Sequence, residues 1–102
     1  MKKKKTIAVK KLKVTPKEDK KVHTFIWPIK EKVNEVCLAG DFNNWKPEPM
    51  AKLETGFLGT VKLGPGVYQY KFIVDGQWQV DPSAMENAKN DFGSSNSVVY
   101  VS

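Results

Sequence analysis

The residues whose types and spacing could do chemistry are two tryptophans carried on turns, one lysine and a set of neutral amides. Trp45 closes "GDFNNW", where two asparagines, residues that favour turns, separate it from Phe42. Trp78 follows an Asp-Gly pair in "VDGQW". Near them stand Asn43, Asn44, Gln77, Gln79, Lys71 and Asn96. Flat apolar rings beside amides and an ammonium suit a ligand with apolar faces and many hydroxyls. A sugar ring is such a ligand: its C–H face packs on indole, and its hydroxyls take hydrogen bonds. Burying ~100 Å² of indole and sugar surface is worth roughly 2–3 kcal/mol. Immobilising a flexible glycan offsets much of that, so weak affinity raised by several sugar units or several modules is expected.

Catalytic chemistry has less support. Asp41, Asp75, Asp81 and Asp91 each sit in a turn-like context ("GDF", "DG", "DP", "ND"), where aspartate hydrogen-bonds nearby backbone. No spacing among them favours a glycosidase pair, and no nucleophile motif or phosphate-binding loop is present. One cysteine, Cys37, and one histidine, His23, exclude an intramolecular disulfide and argue against a zinc site. Cys37 lies in a strand-like run and is expected to be a buried, inert thiol. The expectation is a binding protein, not an enzyme, with no cofactor and no metal.

The elements that must position these residues read as strands. "VHTFIW" is β-branched and aromatic and stops at Pro28; "EVCLAG", "MAKLE", "FLGTVKL", "VYQYKFIV", "QWQV" and "SVVYV" follow. "WKPEPM" and "DPSAMENAKNDFGSSN" read as loops, with room for one helical turn in "SAMENAKN". Short strands with turn signals every eight to twelve residues predict an all-β, antiparallel sandwich. Asp75-Gly76 predicts a two-residue type I′ hairpin. Val74 then pairs with Gln77, Ile73 with Trp78, Phe72 with Gln79 and Lys71 with Val80. Faces alternate along a strand. Tyr68, Tyr70, Phe72 and Val74 should face the core, which leaves Lys71, Ile73, Trp78 and Val80 on the opposite side.

The chain's 102 residues suit one domain. No apolar run approaches the roughly 20 residues of a membrane span. The basic start lacks the apolar stretch of a signal peptide, so a cytoplasmic protein is expected. Charge is unevenly placed. Residues 1–21 hold ten lysines against Glu18 and Asp19, a net +8; residues 22–102 hold seven lysines against nine acids, a net −2. There is no arginine for bidentate contacts to phosphate or guanine, so no specific nucleic-acid partner is expected. Residues 1–20 read as a Lys-rich linker or short edge strand ("TIAVKKLKV"), and residues 21–102 as the folded module.

"VCLAGDFNNWKP", "GVYQYKFIVDGQWQVDP" and "FGSSNSVVYV", in that order, resemble the glycogen-binding domains of AMP-activated protein kinase beta subunits, in carbohydrate-binding module family 48. The resemblance covers about residues 22–102. It implies an immunoglobulin-like (early-set) β-sandwich without catalytic activity that binds α-1,4-linked glucan. It also implies the site residues Trp45, Lys71, Trp78, Phe92, Ser94 and Asn96. Phe92 stands where the family commonly has leucine, so the apolar wedge of the last loop is here an aromatic ring. The alternative implied reading is an interaction or adaptor module that serves a glucan-metabolising enzyme.

Overall fold

The structure is a computed structural model and describes residues 20–29 and 32–102. The expected edge strand in "TIAVKKLKV" lies outside the described residues. In chain order the strands are β1 (Lys21–Pro28), β2 (Val36–Gly40), β3 (Glu48–Pro49), β4 (Ala51–Leu53), β5 (Gly56–Leu63), β6 (Gly66–Val74), β7 (Gln77–Gln79), β8 (Glu86–Lys89) and β9 (Ser95–Val101). A 3-10 turn, Asp41–Asn43, follows β2.

The strands form two antiparallel sheets packed as a sandwich of immunoglobulin-like type. The larger runs β3-β2-β6-β9-β8, with β7 on β6 beyond the end of β9; the smaller runs β1-β5-β4. The chain changes sheets at Met50, between β3 and β4, and its amide donates to the Val36 carbonyl at 2.9 Å. Alternation along each strand supplies the core. Phe25, Phe57 and Leu63 come from the smaller sheet; Val36, Leu38, Tyr70, Phe72 and Val74 come from the larger. Trp27 packs edge-on against Phe72, with ring centroids 5.2 Å apart.

The hairpin register is the expected one: Val74 opposite Gln77, Ile73 opposite Trp78 and Phe72 opposite Gln79. Asp75 at φ 47° and Gly76 at φ 85° supply the two left-handed positions of the turn. β7 ends at Gln79, so the expected Lys71–Val80 pair is absent from the ladder.

Two expected loops contain strands. "SAMENAKN" makes no helical turn; Glu86–Lys89 pairs with Ser95–Val98 of β9. "WKPEPM" contains β3, a two-residue ladder on Cys37 and Leu38. Neither stretch carries the apolar alternation of a strand, because both lie at sheet edges with exposed side chains. Cys37 is partly buried rather than buried, on the outer face of the larger sheet. Burial and the Glu35 carboxylate push its thiol pKa up, which keeps it protonated at neutral pH. None of the helices of the described residues is long and apolar enough to cross a membrane.

Candidate functional site

The site forms on the outer face of the larger sheet. Alternation that sends Tyr70 and Phe72 inward sends Gln69, Lys71 and Ile73 outward on β6. β9 contributes Asn96, and β7 sets Trp78 directly opposite Ile73. The turn after β2 brings Trp45, and the β8–β9 loop brings Asn90, Asp91, Phe92 and Ser94. All of these except Ile73 line an open groove of about 660 Å³. All six residues singled out in the sequence (Trp45, Lys71, Trp78, Phe92, Ser94 and Asn96) are among its lining residues.

Trp78 is 49% exposed and Phe92 is 92% exposed, so each presents a bare aromatic surface to solvent. Trp45 is partly buried, and its indole N–H donates to Asp41 Oδ1 at 3.0 Å. Phe42, its neighbour, packs back on the core against Phe25 and Tyr68. The asparagines between them make the turn. Asn43 Oδ1 accepts the Gly40 amide at 2.9 Å and Asn43 Nδ2 donates to the Leu38 carbonyl at 3.2 Å, while Asn44 takes φ 57°. Gly40 is required there, because a Cβ would lie 2.7 Å from the Gln69 carbonyl oxygen and 2.8 Å from the Phe42 ring.

Lys71 is 8% exposed, and its Nζ donates to Ser94 Oγ at 2.9 Å. An ammonium carries three N–H groups, so two remain for acceptors in the groove. Asn96 is also 8% exposed and lies in β9, not in the loop before it. Its Nδ2 donates to Gln69 Oε1 at 3.0 Å and its Oδ1 accepts from Asn90 Nδ2 at 3.2 Å. One N–H and one lone pair of this amide are left for a ligand. Asn90 Oδ1 in turn accepts the amides of Phe92 and Ser94 at 2.9 and 3.2 Å, which shapes the loop.

Asp41, Gln69, Lys89, Asn90 and Asp91 also line the groove and are not among those six. For Gln69 a signal existed, since parity places it with Lys71. Asp41 reads locally as a turn residue, and its partner, the Gln69 amide at 2.8 Å, is 28 positions away. The amides of Asn43, Gln77 and Gln79 are not among the groove's lining residues.

Residues 22–102 match the family described as the glycogen recognition site of AMP-activated protein kinase. The chain is 40% identical over 67 residues to the 5'-AMP-activated protein kinase subunit beta-1 of Sus scrofa, covering 66% of this chain and 54% of that protein. It is 48% identical over 61 residues to Protein PTST homolog 2, chloroplastic, of Arabidopsis thaliana, covering 58% of this chain and 11% of that protein. For the beta-1 subunit of Rattus norvegicus the match spans 24% of the relative's length. The chain thus spans from about half to much less of the length of these relatives. A crystal structure of maltogenic amylase from S. marinus shares the fold over 79% of this chain and 13% of that one, with a TM-score of 0.67 and 21% identity.

Proposed function

The chain belongs to the glycogen-recognition family of AMP-activated protein kinase, and from that premise we propose that residues 21–102 are a non-catalytic module that binds α-1,4-linked glucan. The observation that carries the reading is the meeting of Trp45, Lys71 and Trp78 in one open groove that Phe92, Ser94 and Asn96 also line. The indoles and the Phe92 ring offer apolar surface to the C–H faces of successive glucose units. Lys71 and the amide of Asn96 donate to ring hydroxyls, and Ser94 Oγ, which already accepts from Lys71, has its own O–H to give. The groove supplies flat contact area and scattered donors, with no activated nucleophile beside a base, which suits holding a glycan rather than cleaving it. A cytoplasmic setting belongs to the same proposal.

Titrating maltoheptaose while following amide and indole NMR shifts tests it. Trp78→Ala should weaken binding at least tenfold while lowering stability by less than about 1 kcal/mol, since half of the side chain is already in water. The absence of any response to millimolar sugar by the intact, folded protein would overturn the reading.

A second reading has an observation of its own. On the outer face of the smaller sheet Val22, Ile26 and Leu53 are 60%, 53% and 49% exposed. Such an apolar face fits an adaptor that docks a glucan-metabolising enzyme. Capture of that enzyme should then persist in excess oligosaccharide and be lost in Ile26→Lys.

A further inference from the structure

Trp45 is held in a conformation that its own backbone resists. Asn44 at φ 57° and Trp45 at φ 60° put two consecutive residues with side chains in the left-handed region. A bulky residue is rarely found there, because its Cβ crowds the backbone. Such strain persists only where the surroundings over-determine the geometry. The backbone is secured by the Trp45 amide, which donates to the Gly40 carbonyl at 2.9 Å, and by the Lys46 amide, which donates to the Asn43 carbonyl at 3.1 Å. Neither contact fixes the plane of the ring.

The ring is tied by its N–H to Asp41 Oδ1 at 3.0 Å. Asp41 Oδ2 accepts the Gln69 amide at 2.8 Å. One carboxylate therefore bridges the strained turn to β6, two residues before Lys71. From Gln69 the connection continues through Asn96 and Asn90 to the amides of the Phe92–Ser94 loop. This line of hydrogen bonds joins the Trp45 turn to the Phe92–Ser94 loop, and Asp41 is its link to the first indole. An aspartate suits the place because two N–H donors face it and both of its oxygens accept. Asparagine would turn an NH₂ toward one of them.

We propose that Asp41 is a positioning residue: it sets the plane of the Trp45 indole against β6, and through that indole it sets the affinity of the groove for glucan. The inference rests on the reading of this groove as the glucan site, but the bridge itself can be tested without sugar. In the ¹⁵N-labelled protein the Trp45 indole N–H is assigned by its loss in Trp45→Phe. Asp41→Asn should shift that resonance and speed its exchange with water, while core amides such as those of Phe72 and Val74 stay in place. Maltoheptaose affinity should fall about tenfold, the scale of one lost charge-assisted hydrogen bond. In the Trp45→Phe background, which keeps a ring but has no N–H to hold, Asp41→Asn should cost no further affinity. Asp41→Ser, which keeps one acceptor oxygen, repeats the comparison should Asp41→Asn disturb the fold. An unmoved indole resonance overturns the proposal, and so does an equal loss of affinity in both backgrounds, which would make Asp41 a direct sugar contact. A moved resonance in a protein that ignores maltoheptaose leaves the bridge standing and sinks the glucan reading instead.

Discussion

Tyr70 and Lys71 are neighbours on β6 with opposite surroundings. The Lys71 ammonium lies under the groove with Ser94 Oγ as its hydrogen-bond acceptor among the described residues. A ligand rich in hydroxyls completes what that cation lacks. The Tyr70 hydroxyl points the other way and donates to the buried Asp81 Oδ2 at 2.7 Å. Burial, reinforced by the hydrogen bond to Asp81 and its charge, pushes the phenol far above its ordinary pKa of 10.0. Because folding raises this pKa, the native state holds the proton more tightly than the unfolded chain. The resulting stability is complete below pH 10 and is lost as pH climbs from there toward the folded value. Urea midpoints should therefore fall steeply above about pH 10. Tyr70→Phe should make that fall shallower, at a cost of about 1–2 kcal/mol at neutral pH for the carboxylate left with one donor fewer. A remainder should persist from Tyr100, whose hydrogen bond to Glu86 also raises it. An unchanged alkaline profile in Tyr70→Phe would contradict the assignment.

Among the elements, the β6–β7 hairpin is the one most completely legible from sequence. Asp75-Gly76 fixes the turn, the turn fixes the register, and the register puts Trp78 beside Ile73 on the face of Lys71. Each of these steps is local. Asp75 adds a tether that no local pattern announces: its carboxylate accepts the amides of Asn34 and Glu35 at 2.9–3.2 Å, some forty residues upstream. Gly76 has open space around it but a φ of 85°, so Gly76→Ala should cost about 1 kcal/mol through backbone strain alone. It should also weaken sugar binding in step with any displacement of Trp78; thermal unfolding and a maltoheptaose titration on one sample read both. The turn carrying Trp45 is the contrary case. Its left-handed pair is secured by the Gly40 and Asn43 carbonyls, and its ring is tied through Asp41, whose other oxygen reaches Gln69 on β6. Placing Trp45 beside the groove therefore leaned on family resemblance, whereas parity alone put Trp78 on the face of Lys71. Asn96 is named from the sequence, but its double engagement with Gln69 and Asn90 is not legible there, since those partners come from another strand and a loop.

Across the whole molecule, the smaller sheet closes the core and the larger one carries the groove on its far side. Core and site are thus two faces of one layer, and β6 contributes to both. The charge is divided differently: the lysines of the first 21 residues leave that segment at +8, while the remainder carries −2. An uncharged glycan gains little from the charge of a basic segment. Removing residues 1–20 should leave maltoheptaose affinity within about twofold, and affinity should stay flat between 50 and 500 mM salt. A salt-steep affinity, or one lost on truncation, would place the basic segment in the binding event.

The edge contact between Trp27 and Phe72 also makes the three indoles unequal as emitters. Trp27 packs against the core and should fluoresce toward the blue, while Trp45 and Trp78 border the groove. Sugar should perturb the second pair and leave the first untouched; unfolding should redden the first. The molecule carries its own reference lamp, and one emission spectrum can follow occupancy and folding in separate channels.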